Sequence, residues 1–173
     1  FYLGNSQKLE AKLLTENELT DFEGQKYQEY IEFLGVDSEP FVKNPIKIPG
    51  WFFRFFKNKN DAKKKLEEKN ISVVFGTGGY AAGPIFAACK ELGIPYIIHN
   101  LDAHMGLANR AFINDAFALT LGVADLGIKP SSGKVAVTGN PISKKFLLEL
   151  EKLGSYQRDN KKLHLLITGG SQG

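Results

Sequence analysis

The chain has 173 residues, of which 43% are hydrophobic and 24% are charged, as in an ordinary globular domain with one core. No apolar run reaches the roughly 18 residues that predict a membrane-spanning helix. The single cysteine, Cys89, excludes an intramolecular disulfide and is predicted to be a small core residue in a reducing compartment.

Apolar periodicity predicts strands that alternate with helices along the chain. In chain order we predict strand 1–3, helix 6–14, strand 27–34, loop 37–50, helix 49–69, strand 71–75, helix 81–92, strand 96–99, helix 106–115, strand 116–121, strand 134–137, helix 142–153, linker 154–162 and strand 163–168. This alternation predicts an α/β fold, a Rossmann-like parallel sheet with helices on both faces.

Charge is distributed unevenly, because residues 43–69 carry 9 basic and 3 acidic side chains. The same segment contains the aromatic run Trp51-Phe-Phe-Arg-Phe-Phe56. At helical spacing one stripe is predicted to face the sheet: Ile48, Trp51, Phe52, Phe55, Ala62 and Leu66. Phe53 and Phe56 fall outside that stripe. The helix is therefore either a core helix with a solvated basic face or an interfacial anchor on an anionic membrane surface.

A glycine-rich turn follows the strand at 71–75 and contains Gly76, Gly78 and Gly79. Glycines let a ligand approach the backbone, and the positive end of the next helix favours an anion. We therefore predict a phosphate or diphosphate site, with a tight turn that binds no ligand as the alternative. The lack of a Gly-Lys-Ser/Thr sequence argues against a P-loop.

Polar residues stand where three predicted strands end, at 76–80, 99–109 and 138–140. In an open parallel sheet, ligands bind beyond the carboxyl ends of the strands. These three segments are therefore expected to converge on one crevice.

Four motifs occur in order along the chain: Gly76-Thr-Gly-Gly-Tyr-Ala-Ala-Gly-Pro84, Gly106-Leu-Ala-Asn109, Gly139-Asn-Pro141 and Gly169-Gly-Ser-Gln-Gly173. Together with Leu3-Gly-Asn-Ser-Gln-Lys-Leu-Glu10 they resemble the MurG family of bacterial glycosyltransferases, glycosyltransferase family 28. That resemblance implies a two-domain GT-B enzyme. Residues 1–153 would form its N-terminal lipid-acceptor domain, 154–162 a linker and 163–173 the start of the donor domain. The family's first strand and first glycine loop would lie outside this sequence, and this chain alone would be inactive.

The resemblance also implies a reaction of peptidoglycan synthesis. N-acetylglucosamine would move from UDP-N-acetylglucosamine to an undecaprenyl-diphosphate-linked muramoyl-pentapeptide, with inversion and without a required metal or cofactor. The enzyme would be peripheral, at the cytoplasmic face of the bacterial plasma membrane, and nucleic acid is not an expected partner.

The resemblance assigns roles to residues of this sequence. The predicted sites are the acceptor diphosphate site (Gly76, Gly78, Gly79, Tyr80), substrate contacts (Asn109, Asn140, Ser143), the donor site (Gly169, Gly170, Ser171, Gln172), catalytic groups (Asp102, His99) and the membrane contact (Trp51, Phe52, Phe55, Phe56). The family's general base would lie in the first glycine loop, outside this chain, so Asp102 would either act as a base of its own here or mark an altered activity.

The sequence departs from the family pattern at two of these places. Asp102 stands where the family has asparagine, so an amide donor is lost and a charge is added. Ser143 replaces a basic residue, whose charge Lys144 or Lys145 could supply. These departures leave room for a related transferase that acts on diacylglycerol or another polyprenyl-linked sugar.

Two further interpretations come from other classes of protein. One is a non-catalytic, membrane-associated binding subunit that uses the aromatic run. The other is a nicotinamide-dependent oxidoreductase, since Gly76-x-Gly78-x-x-Ala81 fits the loose dinucleotide fingerprint. An oxidoreductase needs an acidic residue at the end of the next strand, where this chain has His99-Asn100.

Overall fold

A computed structural model of the chain describes residues 1–5, 11, 12, 14, 25, 26, 31–42, 44–124, 127, 133–153 and 165. The predictions for the linker 154–162, for Gly169–Gln172 and for most of helix 6–14 lie outside these residues, and of strand 163–168 only Leu165 is described. The chain divides into two compact units, Phe1–Asn140 and Pro141–Gly173.

Six short strands form two parallel sheets in the described part of the first unit. The strands are β1 (Tyr2–Gly4), β2 (Phe33–Gly35), β3 (Val74–Gly76), β4 (Tyr96–Asn100), β5 (Ala118–Leu121) and β6 (Lys134–Val137). β1 pairs with β2, and the other four lie in the order β3-β4-β5-β6. Every pairing is parallel, with Gly76 opposite Ile98 and Asn100 opposite Leu121. The predicted parallel α/β fold is confirmed.

Four helices have both of their ends among the described residues. They are α1 (Ile48–Glu68), α2 (Ala82–Leu92), α3 (Leu107–Phe112) and, in the second unit, α4 (Lys144–Leu153). Pro49 occupies the first turn of α1, where its missing N–H costs no hydrogen bond. Gly93 ends α2 in the left-handed region with φ 69°. Four of the five predicted helices can be compared with described bounds. Three of these four begin within two residues of their observed starts and end within one residue of their observed ends, while helix 106–115 divides into α3 and a 3-10 turn, Ile113–Asp115.

The strand predicted at 71–75 begins three residues late. The Ile71 amide donates to the Leu66 carbonyl at 3.0 Å, so this segment still completes the exit from α1. Ladder pairing with β4 begins only at Val74.

The core lies between α1, α2 and the four-stranded sheet. The Phe86 ring of α2 stacks on Tyr96 of β4 with centroids 4.9 Å apart, and the Tyr96 hydroxyl donates to the Phe112 carbonyl at 2.9 Å. Cys89 is fully buried, as predicted, and burial raises the pKa of its thiol to about 12. Burial also raises the pKa of Tyr96.

Only the second half of the predicted α1 stripe is buried. Ala62 and Leu66 are at most 1% exposed, whereas Phe52 is 47% exposed. α1 has 21 residues and α2 has 11. Because each residue adds 1.5 Å to a helix, α2 is about half as long as α1 and can cover only about half of its length. The prediction that Phe52 faces the sheet is therefore wrong. Phe53 and Phe56, which fall outside the predicted stripe, are both exposed.

Within the part of the chain that the structure describes, no helix combines the length and the apolar character needed to cross a membrane.

Candidate functional site

The glycine loop leaves the carboxyl end of β3 and enters α2. Gly78 and Gly79 have φ of 101° and 82°, a region that side chains with a Cβ rarely adopt. No side chain caps the N-terminus of α2 at Ala81. The first amide groups of this helix therefore remain available to an anion, and the helix dipole favours one there.

A cavity of about 630 Å³ connects this loop to the aromatic run of α1. We call it the acceptor groove. The loop residues and polar side chains that line it include Gly78, Gly79, Tyr80, Asn100, Asp102 and Asn109. Its apolar walls include Trp51, Phe52, Phe55, Phe56, Leu107 and Phe112. The structure thus brings the predicted diphosphate loop, Asp102, Asn109 and the predicted membrane contact around one groove. Gly76 ends β3 at the base of the loop and does not line this groove.

Asn109 of α3 lies against the glycine loop. Its side-chain nitrogen is 3.0 Å from the position that a Cβ on Gly78 would take, so glycine leaves the room that this amide fills. Asn109 is 3% exposed, and its Oδ1 has no hydrogen-bond partner among the described residues. A buried acceptor without a partner costs about 1–3 kcal/mol. A donor group on a ligand would recover that cost.

Two asparagine amides hold the segment that carries Asp102. Asn100 donates to the Asp102 carbonyl at 2.5 Å, and Asn140 donates to the Leu101 carbonyl at 3.1 Å. A Cβ on Gly122 would overlap the Asn140 amide. Asn140, predicted to contact substrate, is thus engaged with the backbone. Sequence reasoning missed Asn100 and Gly122, whose only signal is their position at the ends of β4 and β5.

His99 does not line the groove. The residue is 4% exposed, its Nδ1 is 2.8 Å from Thr120 Oγ1, and its ring stacks on Phe75 with centroids 5.9 Å apart. Its Nε2 is buried with no hydrogen-bond partner in the described part of the chain. The catalytic role of His99 stays a prediction.

The remaining predicted residues belong to the second unit or lie outside the described part. Ser143 Oγ accepts a hydrogen bond from the Phe146 amide at 3.3 Å, next to the start of α4. Gly169, Gly170, Ser171 and Gln172 are not among the described residues. Their predicted roles toward substrate and donor stay predictions.

Carboxylates neutralise much of the basic segment. Lys59 and Lys63 both pair with Glu91 of α2, and Lys65 pairs with Asp61. The hydrogen bond from Lys59 and then that from Lys63 lower the pKa of Glu91 to about 2. Most of these pairs are solvent-exposed and contribute about 0–1 kcal/mol each. Across the described ranges, no three His, Cys, Asp or Glu side chains gather as a metal site.

The parallel sheet, the glycine loop and the groove at the strand ends define a Rossmann-like domain, a class whose ligands bind beyond the carboxyl ends of the strands. The chain belongs to glycosyltransferase family 28, since the model of the glycosyltransferase family 28 N-terminal domain matches residues 5–118. The family that the motifs resemble is thereby confirmed.

Named relatives are similar over most of the chain. The UDP-N-acetylglucosamine–N-acetylmuramyl-(pentapeptide) pyrophosphoryl-undecaprenol N-acetylglucosamine transferase of Tropheryma whipplei is 33% identical over 100% of this chain and 46% of its own length. Its namesake in Halothermothrix orenii is 31% identical over 99% of this chain and 45% of its own length. The chain thus spans about half the length of the curated relatives it matches. The crystal structure of Acinetobacter baumannii MurG matches 79% of this chain and 35% of its own, with TM-score 0.58 and 25% identity.

Proposed function

We propose that the protein containing this chain transfers N-acetylglucosamine from UDP-N-acetylglucosamine to an undecaprenyl-diphosphate-linked muramoyl-pentapeptide, a step of peptidoglycan synthesis. One observation carries the proposal: an anion-favouring glycine loop opens directly into an apolar groove. This combination suits a molecule with a diphosphate and a hydrocarbon chain. Family membership and the names of the relatives support it.

In this proposal the glycine loop holds the acceptor diphosphate. Backbone amides at Gly78, Gly79 and the start of α2 supply hydrogen bonds to its oxygens, and Tyr80 stands beside them. Asn109 contributes its buried amide to the acceptor. Gly76 closes the base of the loop against the core.

The reaction is a single displacement. The muramoyl 4-hydroxyl oxygen forms a bond to the anomeric carbon of N-acetylglucosamine while the bond from that carbon to the UDP oxygen breaks. UDP leaves with the electron pair, and a base takes the hydroxyl proton. Asp102 lines the same groove as Asn100 and Asn109. We propose that its carboxylate either accepts the proton of the muramoyl hydroxyl or orients the acceptor.

A second domain would bind the nucleotide sugar. We propose that residues 1–153 form the acceptor domain, 154–162 the linker and 163–173 the start of the donor domain, with Gly169–Gln172 at UDP. Amide groups of a glycine loop suit a departing diphosphate without a required metal.

We further propose peripheral attachment to the cytoplasmic face of the plasma membrane. The most exposed apolar side chains near α1 are Ile46 at 89% and Phe53 at 74%. Both lie outside the acceptor groove and can enter a headgroup region. Lys57 of the same helix is exposed and favours anionic lipid.

Labelled UDP-N-acetylglucosamine, supplied to the full-length protein with either muramoyl-pentapeptide diphosphate lipid or diacylglycerol, tests the proposal. We expect label on the muramoyl lipid. Label only on diacylglycerol would keep the transferase class and change the acceptor, and label on neither lipid would sink the proposed function.

A further inference from the structure

Asp102 lies in a segment that no helix or strand holds in place. β4 ends at Asn100 and α3 begins at Leu107, and residues 101–106 between them belong to neither kind of element. Asp102 is also solvent-exposed, so burial in the core does not fix its carboxylate. The contacts made by the main chain of this segment therefore decide where the carboxylate stands.

Asn140 reaches this segment from the end of another strand. It follows β6, and its side-chain nitrogen donates to the Leu101 carbonyl at 3.1 Å. Leu101 directly precedes Asp102, so this bond acts one peptide group away from the residue that carries the carboxylate. The Asn100 amide donates to the carbonyl of Asp102 itself. Two successive carbonyls are thus held by two asparagine side chains.

The end of β5 leaves room for the Asn140 amide. A Cβ on Gly122 would lie 1.7 Å from Asn140 Oδ1 and 2.9 Å from its Nδ2. The backbone of Gly122 does not itself require glycine, because Gly122 is not among the glycines with positive φ. Its amide donates to the Asn100 carbonyl at 2.8 Å, a bond that alanine would keep. The Asn140 side chain therefore explains the glycine at this position.

The main chain next to Asn140 is restrained as well. The amides of Thr138 and Gly139 both donate to the Leu121 carbonyl, at 3.0 and 3.2 Å. Pro141 follows, and a proline restricts the residue before it to extended conformations. Asn140 is the last residue of the first unit, so its side chain starts from a backbone that is fixed to β5.

We infer that Asn140 is a positioning residue for Asp102, because its amide holds the Leu101 carbonyl so that Asp102 lines the acceptor groove. Asn140 itself does not line that groove. The inference rests on the proposed function, in which the Asp102 carboxylate accepts the hydroxyl proton or orients the acceptor. It gives Asn140 a role that differs from contact with substrate.

Kinetics of the full-length protein on muramoyl-pentapeptide diphosphate lipid distinguish the two roles. One net hydrogen bond can change a rate about three- to tenfold, and we expect Asn140→Ala to lower kcat by that factor. The KM for the lipid should stay within about twofold, whereas loss of a substrate contact would raise it. Asn140 is exposed, so this variant leaves no buried side chain unpaired, and circular dichroism checks that it is folded.

Gly122→Ala displaces the same amide without removing it. We expect a similar fall in kcat, and the double variant with Asn140→Ala should be no slower than Asn140→Ala alone, because the displaced amide is already absent. Gly50→Ala is the matched control, since its new methyl group has room, and it should leave kcat unchanged. In the Asp102→Asn protein, Asn140→Ala should have no further effect. A general structural defect would lower kcat in both proteins.

An unchanged kcat in Asn140→Ala would overturn the inference, and so would a fall of equal size in the Asp102→Asn protein. The carboxyl carbon NMR signal of Asp102, identified by its loss in Asp102→Asn, gives a readout that needs no activity. It should move in Asn140→Ala while the Asp115 signal stays, and an unmoved Asp102 signal would also overturn the inference. Wild-type protein that labels neither lipid would sink the proposed function alone, because the NMR signal still decides whether Asn140 positions Asp102.

Discussion

The Phe86 ring lies directly beneath Gly76, at the junction of β3 and the glycine loop. A Cβ on residue 76 would be 2.5 Å and 2.6 Å from two atoms of that ring. The ring cannot retreat, because it stacks on Tyr96 and packs against Phe112 at 6.0 Å. The packing of the core therefore requires glycine at position 76.

Gly76→Ala should lower the free energy of unfolding by about 1–3 kcal/mol, since it overpacks a filled core. Urea unfolding measures this change. Gly50→Ala is the control, because Gly50 lies in α1 with room for a methyl group and alanine favours a helix by up to about 1 kcal/mol. In a double-mutant cycle, Phe86→Leu should reduce the cost of Gly76→Ala. Additive costs would contradict the packing explanation.

Gly78→Ala should cost more stability than Gly79→Ala. Both residues have positive φ, so both changes strain the backbone by about 1–3 kcal/mol. Only at residue 78 does the new methyl group meet the Asn109 amide, while residue 79 faces open space. The difference between the two costs, measured by urea unfolding, should become smaller when Asn109 is replaced by alanine. Equal costs for the two glycines would show that Asn109 does not define the loop.

Glu91→Gln should reduce the acid sensitivity of the fold. The pKa of Glu91 falls from 4.5 to about 2 when the chain folds, chiefly through the hydrogen bond from Lys59. Between these pH values the unfolded chain takes up a proton that the folded chain does not, so wild-type stability declines as pH falls. The free energy of unfolding of Glu91→Gln should therefore fall less than that of the wild type as the pH is lowered. Unfolding curves at pH 5 and pH 3 test this, and a parallel decline in both proteins would contradict it.

Asp102→Asn in the full-length protein separates two roles of this carboxylate. If it takes a proton, kcat should fall by about 10² or more, which is the expected outcome here. The KM for the acceptor should fall as well, because a negative charge is removed from beside the diphosphate. Asp115→Asn is the control, because Asp115 pairs with Lys90 and does not line the groove. Unchanged or higher kcat would assign Asp102 to acceptor binding only.

Local pattern was enough to predict most of the architecture. Alternating strands and helices, the proline at the start of α1 and the glycine loop before α2 all act within a few residues, and the structure confirms them. The sequence could not show how far α2 covers α1, and so it misplaced Phe52. That outcome depends on the lengths of two packed helices.

The site was harder to predict because its contacts join distant segments. The bond from Asn140 to the Leu101 carbonyl spans 39 residues, and the Asn109 amide reaches Gly78 from another helix. Motif spacing identified Asn109 and Asn140 as polar groups at the crevice. It could not distinguish an amide that faces a ligand from one that holds backbone.

Cys89 is the one cysteine of this sequence, so its reaction with a thiol reagent can report on motion in the core. Its thiol is fully buried on α2, the helix that begins at the glycine loop, and no other cysteine competes with it. A thiol reagent reacts with the thiolate, so modification requires α2 to separate from the sheet. The labelling rate would then count local opening events rather than global unfolding. A ligand that binds the glycine loop and stabilises α2 would therefore slow the modification of Cys89, and tighter binding would slow it more.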